Sequence, residues 1–295
     1  MSVKVAIYGQ QFKAEHRHYV ETLLEAFKKH PVDFVVEKGY SEGIKDAIPA
    51  ISLATFTCFE DLDDSFDFMF TIGGDGTILR AVTLIRDNNI PIVGINAGRL
   101  GFLATVQKEE IAEAVDRVMA GKYKLKKRSL LCVATKPETA GLSPLNFALN
   151  EVSVNRKNTT SMITIETFLD NEFLTAYWAD GLIIATPTGS TGYSLSCGGP
   201  IITPAAKSFA LTPIAPHNLN ARPLVIPDDT EITFTVSGRE GEFFLSLDSR
   251  ITSIDSETKI TVKKAPFHLK MVQIKKQTFL KTLREKLLWG QDLRN

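Results

Sequence analysis

The chain has 295 residues, of which 44% are hydrophobic, and this suits a globular protein with two cores or one large domain. Its 34 lysine and arginine residues balance its 34 aspartate and glutamate residues, so no net field draws the molecule to nucleic acid or to an anionic membrane. We therefore expect neither of these partners.

From the sequence we expect neither a targeting segment nor a zinc site. No apolar stretch approaches the roughly 20 residues that a membrane helix needs, and the chain opens directly into a strand pattern rather than a signal peptide. We expect a cytoplasmic protein. Cys58, Cys132 and Cys197 are widely spaced and lack histidine neighbours, so the sequence predicts neither a disulfide framework nor a zinc site.

The first part of the chain alternates between short apolar runs and helical periodicity, which is typical of βα units around a parallel sheet. Residues 3–9 are predicted to form a strand, 14–30 a helix and 34–37 the next strand. The helix places four apolar residues on one face, namely Val20, Leu23, Leu24 and Phe27. We predict an α/β domain over residues 1–122.

A glycine-rich turn follows the predicted strand 68–72 and precedes a helix predicted from residue 78. Its residues are Gly73, Gly74, Asp75, Gly76 and Thr77. Glycines permit positive φ and remove the Cβ atoms that keep a ligand from the backbone, so amide N–H groups can converge on an anion. Asp75 would repel a phosphate unless it holds a cation, accepts a proton from a hydroxyl or hydrogen-bonds a sugar. The turn therefore points to phosphoryl transfer, although similar turns also occur for structural reasons.

A second loop, over residues 97–103, follows the predicted strand 91–96. Both loops lie beyond the carboxyl ends of strands, where open α/β sheets bind their ligands. A helix predicted over 108–119 completes this part of the chain.

The character of the sequence then changes, because β-branched and aromatic runs at short spacing dominate from about residue 124 to residue 274. We predict a β-rich domain over 123–275. The tail returns to a helical pattern with the apolar residues Phe279, Leu280, Leu283, Leu287 and Leu288. The predicted fold is thus an α/β N-terminal domain with an open parallel sheet and a β-rich C-terminal domain. A C-terminal helix within 276–295 is predicted to pack back on the N-terminal domain.

Two further segments carry polar chemistry. Residues 180–200 read as a buried strand that feeds a loop rich in hydroxyls and glycines, which suits hydrogen bonding to a phosphorylated ligand. As structure alone, this segment would be an unusually polar hairpin. Asn150 and Glu151 place an amide and a carboxylate side by side at the start of a predicted strand.

These motifs resemble those of the NAD kinase family. The matching segments, in order, are Gly73-Gly74-Asp75-Gly76-Thr77, Asn150-Glu151, Asp180-Gly181 and Thr186-Pro187-Thr188-Gly189-Ser190-Thr191-Gly192-Tyr193. Short glycine–aspartate turns also resemble those of phosphofructokinases and lipid kinases. The long segment 180–200 separates this chain from them, because it resembles the dinucleotide-binding segment of NAD kinases.

The resemblance implies that the γ-phosphoryl group of ATP is transferred to the 2′-hydroxyl of the adenosine ribose of NAD, which gives NADP. Asp75 would accept the proton of that hydroxyl, and Gly73, Gly74 and Gly76 would let phosphates approach the backbone. Mg²⁺ would be held mainly by the triphosphate. The family also implies a homodimer or homotetramer.

The resemblance assigns further ligand contacts within the β-rich, NAD-binding domain and around the glycine turn. Asn150 and Glu151 would contact the adenosine part of NAD, and Asp180 would bind its nicotinamide side. The other implied binding residues are Thr77, Asn96, Phe102, Thr188, Thr191, Gly192, Tyr193, Ser194, Leu195, Ser196 and Arg250. Gly192 departs from the family pattern, because many members have alanine at this position.

Two alternatives stay open at this point. One is a non-catalytic protein that binds or senses NAD, although such a protein would gain little from the carboxylate of Asp75 beside phosphates. The other is a kinase of a lipid or sugar hydroxyl, for which the sequence shows neither an apolar channel nor an arginine cluster.

Overall fold

The computed structural model describes residues 2–48, 53–98, 101–157, 161–274 and 278–288. The chain divides into an N-terminal unit of residues 1–127 and 269–295 and a C-terminal unit of residues 128–268. The sequence places the corresponding divisions at 122/123 and 275/276. Among the described residues, no helix combines the length and the apolar character needed to cross a membrane.

The N-terminal unit contains a parallel sheet. Its strands are β1 Val3–Tyr8, β2 Val32–Glu37, β3 Thr55–Phe56, β4 Phe68–Gly73 and β5 Ile92–Asn96. They pair in parallel in the order β3, β2, β1, β4, β5. Met271 pairs in parallel with Ile92 of β5, so the end of the chain extends the same sheet. The predicted open parallel sheet is confirmed.

Four helices of the described residues connect these strands. They are α1 Arg17–Phe27, α2 Lys38–Ala47, α3 Asp75–Ile85 and α4 Ile111–Met119, with 3-10 turns at Ala14–His16, Phe59–Asp61 and Lys108–Glu110. The four predicted apolar residues of α1 are all buried. They belong to a core with the apolar side chains of β1, β4 and β5, as helical periodicity requires.

Two helix predictions were incomplete. α2 was not predicted, because Gly39 and Gly43 lower its intrinsic helix propensity. Its first turn is instead stabilised by the Glu37 carboxylate, which accepts hydrogen bonds from Gly39 N at 3.1 Å and Tyr40 N at 2.8 Å. α3 begins at Asp75 rather than at residue 78, so Asp75 belongs to the first turn of the helix.

The C-terminal part of the chain is β-rich, as predicted. Its strands are β6 Lys124–Lys136, β7 Phe147–Ala148, β8 Glu151–Arg156, β9 Ile163–Leu169, β10 Glu172–Ala179, β11 Gly181–Ala185, β12 Ser208–Ile214, β13 Leu224–Pro227, β14 Ile232–Ser237, β15 Glu242–Leu247, β16 Arg250–Asp255 and β17 Lys259–Gln273. A short helix, α5 Tyr193–Ser196, follows a 3-10 turn at Gly189–Thr191.

Two antiparallel arrangements of strands enclose the core of the C-terminal unit. One has the order β13, β12, β11, β8, β15, β16, and the other has the order β10, β9, β14, β17. Alternate residues of β8, β11 and β15 are buried in this core, namely Val152, Val154, Leu182, Ile184, Leu245 and Leu247. This period of two fixes which face each strand turns inward. The antiparallel pairing of β8 with β11 and with β15 places the start of β8 next to the ends of these two strands.

The last helix, α6 Phe279–Leu287, belongs to the N-terminal unit. The Phe279 ring lies 5.9 Å from the ring of Phe102, and Leu283 is buried. The predicted return of the C-terminal helix to the N-terminal domain is thus confirmed. Leu280 and Leu288, two of the apolar residues in the helical pattern of the tail, are exposed, because a helix covers a core with one face only. Gln277, where the helical pattern of the tail begins in the sequence, lies outside the described residues.

Candidate functional site

In the N-terminal unit, the candidate residues gather at the turn between β4 and α3. The Asp75 carboxylate accepts three hydrogen bonds from the backbone that follows β5. Phe102 N donates to Oδ2 at 2.7 Å, while Leu103 N and Ala104 N donate to Oδ1 at 3.0 and 3.1 Å. Asp75 therefore holds residues 102–104 against the glycine turn.

The same carboxylate retains capacity for a ligand. A carboxylate has about four acceptor positions, and in the described part of the chain Asp75 uses two on Oδ1 and one on Oδ2. One position on Oδ2 remains for a donor such as a hydroxyl. The backbone of residue 101 packs closely against the Asp75 carboxylate, because a Cβ atom at residue 101 would lie 2.0 Å from Oδ1. Gly101 therefore permits the position of the carboxylate.

The glycines of the turn have different functions. Gly73 has a φ of +155°, and a Cβ atom there would lie 2.1 Å from Thr77 Oγ1, so packing alone requires glycine. A Cβ atom at Gly74 or Gly76 would meet no heavy atom of the described residues within 4 Å. The space beside these two glycines lies at a helix N-terminus, whose first N–H groups have no partner within the helix. This arrangement suits an anion.

Asn96, at the end of β5, lies beside this turn, because it is in register with Gly73 of β4. Its side chain is 2% exposed, and its Oδ1 accepts a hydrogen bond from Gly98 N at 3.1 Å. Its Nδ2 atom is buried and has no hydrogen-bond partner among the described residues. Buried donors are normally satisfied, so this amide group can donate to a ligand. Arg99 and Leu100, which the sequence places in the following loop, lie outside the described residues.

Phe102 was expected to supply an apolar wall of the nucleotide pocket. Its half-buried ring contacts Phe279, and the Lys286 Nζ atom lies 5.4 Å from the ring centre. These contacts link the Asp75 loop to α6.

In the C-terminal unit, Asn150 and Glu151 lie at the start of β8, between two other segments. On one side, Thr186 N donates to Asn150 O at 2.9 Å, and Thr186 Oγ1 donates to Leu149 O at 2.6 Å. Gly189 packs against the same backbone, since a Cβ atom there would lie 2.1 Å from Asn150 O. The hydroxyl-rich loop after β11 is thereby joined to the Asn150–Glu151 pair.

On the other side lies Asp248, in the turn between β15 and β16. Its Oδ2 accepts a hydrogen bond from Leu149 N at 2.9 Å, and its Oδ1 accepts from Asn150 N at 2.8 Å and Glu151 N at 3.2 Å. Its own N–H donates to Glu151 O at 2.9 Å. Sequence reasoning missed Asp248. The available signal was a two-residue turn between alternating strands, where aspartate is common for reasons of backbone geometry.

The Glu151 carboxyl has a strongly shifted pKa. Burial and, after it, the charge of Asp248 raise the pKa of Glu151 to about 8, while the Tyr193 backbone N–H acts in the opposite direction. Its Oε2 atom is buried and unpartnered among the described residues. Burial also raises the pKa of Asp248, although three backbone N–H groups and Arg250 oppose this. We assign the proton of the pair to Glu151 near neutral pH, because its carboxylate receives fewer donors.

The loop from Thr188 to Ser196 presents some of its side chains outward. Tyr193 is 43% exposed, which excludes ordinary core packing, and Ser196 is also exposed. Thr191 Oγ1 donates to Thr188 O at 3.2 Å, and Leu195 is half-buried. Ser194 points inward, where its hydroxyl shares a 2.9 Å hydrogen bond with Thr212.

Gly192, the departure from the family pattern, lies over Glu151. A Cβ atom at residue 192 would be 3.1 Å from Glu151 Oε2 and 3.6 Å from Asn150 Nδ2. An alanine at this position would therefore cover the Asn150–Glu151 pair more tightly than glycine does.

Asp180 and Arg250 each have protein partners. The Asp180 carboxylate forms an ion pair with Arg156 Nη2 at 3.2 Å, and both side chains are about one-third exposed. Sequence reasoning did not single out Arg156, which reaches Asp180 because β8 pairs with β11. Arg250 donates from Nη1 to Leu145 O and from Nη2 to Phe147 O. These two contacts hold the segment that leads into Asn150.

The predicted site residues thus form one group in each unit. In the N-terminal unit the structure brings together Gly73, Gly74, Asp75, Gly76, Thr77, Asn96 and Phe102. In the C-terminal unit, Asn150 and Glu151 are joined to the loop 188–196 and to Asp248. Asp180 immediately precedes β11, the strand that leads into that loop.

Comparison with known proteins gives consistent results. Residues 9–123 match the family described as ATP-NAD kinase N-terminal domain, and residues 149–274 match the ATP-NAD kinase C-terminal domain. The chain is 52% identical over 294 residues to an NAD kinase of Flavobacterium psychrophilum, covering 99% of this chain and 100% of the relative.

Two solved structures are similar over nearly the whole chain. Yeast NADH kinase complexed with NADH has a TM-score of 0.87 and 25% identity, covering 99% of this chain and 89% of the yeast chain. An NAD kinase from Archaeoglobus fulgidus in complex with ATP has a TM-score of 0.75 and 26% identity, covering 97% of this chain and 99% of the archaeal chain. With the full-length relative and both domain matches, these findings establish that the chain belongs to the NAD kinase family.

Proposed function

We propose that this protein is an NAD kinase that transfers the γ-phosphoryl group of ATP to the 2′-hydroxyl of the adenosine ribose of NAD, with NADP and ADP as products. The observation that carries the proposal is the Asp75 carboxylate at the first turn of α3, which retains an acceptor position on Oδ2. The 2′-hydroxyl donates its proton to Asp75 as its oxygen bonds to the γ-phosphorus and the bond to ADP breaks.

The turn itself provides for the phosphates. Gly74 and Gly76 leave space beside backbone N–H groups at a helix N-terminus, which favours negative charge. The Nδ2 atom of Asn96, which has no hydrogen-bond partner in the described part of the chain, supplies a neutral donor next to the same turn. Phosphoryl transfer depends mostly on positioning and charge neutralisation, and these groups are of the type that it requires.

Mg²⁺ is the divalent cation that this reaction implies, and when bound it would neutralise charge on the triphosphate. Within the described ranges, no three side chains of His, Cys, Asp or Glu form a group that could hold a metal ion. Magnesium commonly binds through substrate phosphates with one or two protein carboxylates. We propose that ATP carries the ion.

The C-terminal unit supplies the proposed NAD contacts. Asn150 and Glu151 bind the ribose and adenine part, because Glu151 Oε2 has no partner within the described segments and can hydrogen-bond a ribose hydroxyl. Tyr193 offers an exposed ring to a base. Asp180 binds the nicotinamide side. The remaining contacts are proposed for Thr77, Phe102, Thr188, Thr191, Gly192, Ser194, Leu195, Ser196 and Arg250.

The resemblance to the family extends to location and assembly. We propose that the protein is a cytoplasmic homodimer or homotetramer. We also propose that the β-rich domain predicted over residues 123–275 binds NAD.

The proposal is tested by incubating the protein with NAD, ATP and Mg²⁺ and reading NADP with an NADP-specific dehydrogenase. A matched reaction uses the NAD analogue that lacks the adenosine 2′-hydroxyl, from which no phosphorylated product should form. The proposal is supported if NAD gives NADP and the analogue gives no phosphorylated product. NAD binding without NADP formation would favour a sensing protein, and absence of both would direct the search to other hydroxyl substrates.

A further inference from the structure

The turn between β15 and β16 holds the backbone that leads into β8. At its start, the Asp248 carboxylate accepts hydrogen bonds from three consecutive N–H groups, those of residues 149, 150 and 151. Two residues later, Arg250 donates to the carbonyl oxygens of Leu145 and Phe147. Two charged side chains of one turn therefore bind both kinds of backbone group in the segment 145–151.

We propose that Asp248 is a positioning residue for NAD phosphorylation, which fixes the backbone of Asn150 and Glu151 so that their side chains meet the adenosine ribose in a single geometry. The inference rests on the proposed function, because it assigns the ribose contacts to these two residues. Asp248 itself acts through them and touches no reacting atom.

The contacts of Asp248 predict that a substitution at this position displaces the backbone of residues 149–151. The carbonyl groups of Leu149 and Asn150 accept hydrogen bonds from Thr186 on one side, and the corresponding N–H groups point to Asp248 on the other. Removing the carboxylate leaves these partly buried N–H groups without full partners, while the hydrogen bonds to Thr186 on the other side remain. Displacement of catalytic or binding groups by about 1 Å reduces turnover by on the order of a hundredfold.

Asp248 also acts on Glu151 through its charge. Two groups of the described residues act on the Glu151 carboxyl, namely Asp248 in the β15–β16 turn and Tyr193 in the loop 188–196. Burial first, and then Cys197 and Asp180, raise the pKa of Tyr193 in turn. Burial comes first among the causes that raise the pKa of Glu151, and Asp248 comes second. A neutral group at residue 248 should therefore lower the pKa of Glu151 but not return it to the usual value.

Asp248→Asn tests the proposal, and Asp255→Asn is its matched control. Asp255 is an exposed residue at the opposite end of the β15–β16 hairpin, where it accepts hydrogen bonds from Glu257 N and Thr258 Oγ1. Above about pH 9, where Glu151 (pKa about 8) is ionised in both proteins, we expect Asp248→Asn to raise the KM for NAD at least about tenfold while the KM for ATP changes less than about threefold. Asp255→Asn should change neither. A partly unfolded enzyme would lose kcat without altering either KM.

The pH profile gives a second readout. The value of kcat/KM for NAD should rise with pH towards the pKa of Glu151 in the free enzyme, because a carboxylate is a stronger acceptor than a carboxylic acid. In Asp248→Asn, this inflection should move to lower pH. An unchanged KM for NAD together with an unchanged inflection would overturn the proposal.

If Asp248→Asn does not fold, Ser246→Ala is the alternative test of the proposal. Ser246 Oγ donates to Asp248 O at 2.9 Å, so its removal loosens the turn that carries Asp248. A two- to fivefold rise in the KM for NAD alone supports positioning through this turn, and unchanged values overturn it. If wild-type protein makes no NADP, the proposed function fails independently, and calorimetric titration with NAD still measures the effect of Asp248→Asn on affinity.

Discussion

Replacing Asp75 with asparagine separates the chemical contribution of its carboxylate from its structural one. The asparagine Oδ1 can still accept hydrogen bonds from Leu103 N and Ala104 N. Its Nδ2 would then face Phe102 N, which now donates to Oδ2 at 2.7 Å. The substitution thus loses one hydrogen bond, places two donors together and removes the carboxylate that we propose as the proton acceptor.

The two effects differ in size. Leaving one amide unsatisfied destabilises the fold by about 1–3 kcal/mol. A typical stability of about 5–15 kcal/mol then still keeps roughly 97% or more of the molecules folded, so unfolding removes only a few per cent of the activity. Loss of a general base lowers kcat by at least about a hundredfold, which corresponds to about 2.7 kcal/mol in the activation barrier. The loss of turnover should therefore exceed the loss of folded protein by more than tenfold.

The assay compares kcat for NADP formation with the Tm and the NAD affinity of each variant. Phe279→Leu is the matched control, because it removes a ring contact with Phe102 while retaining the Asp75 carboxylate. It should destabilise the fold by about 0.5–1.5 kcal/mol and leave kcat within about threefold. The reasoning is refuted if Asp75→Asn retains wild-type turnover. It is also refuted if Phe279→Leu lowers kcat as much as Asp75→Asn does.

Three further predictions concern the C-terminal unit. Glu151→Ala should weaken NAD binding by about 1–3 kcal/mol in a calorimetric titration, and unchanged affinity would remove Glu151 from the ribose site. The pKa of Glu151 is raised from 4.5 to about 8 in the folded protein, so its contribution to stability is full below pH 4.5 and is lost as the pH rises to about 8. Glu151→Gln, which cannot titrate, should therefore gain Tm relative to wild type between about pH 5 and about pH 8.5, and a pH-independent difference would contradict this sign. Gly189→Ala places a Cβ atom 2.1 Å from Asn150 O and should reduce the free energy of unfolding in urea by about 1–3 kcal/mol; a neutral result would mean that this backbone can move.

The glycine turn could be predicted because its signals are local. A buried apolar run, three glycines and a helical pattern follow one another within a few residues, and the change of period identifies both elements. The start of α3 at Asp75 was missed, because glycines lower helix propensity in the sequence. In the fold, the first turn of a helix needs few intrahelical bonds, and the bonds from residues 102–104 stabilise Asp75 in that position.

Asp248 could not be found in this way, because its partners are remote in sequence. The hydrogen bonds to residues 149–151 span 97 to 99 positions, and periodicity carries no information over such separations. The ion pair of Asp180 with Arg156 depends likewise on the pairing of β8 with β11. Local patterns therefore identified the segments that carry the candidate ligand-binding groups, whereas the groups that hold these segments in place depend on tertiary structure.

During synthesis on the ribosome, the C-terminal unit is completed before the N-terminal unit, because the N-terminal unit is built from two separate stretches of chain. The C-terminal unit is continuous and has all of its residues once residue 268 is made. By then the N-terminal unit still lacks Met271, which pairs with Ile92, and the buried residues Val272 and Leu283. Domains generally fold as units as they emerge. The N-terminal unit therefore completes its core last, although its first residues are made first.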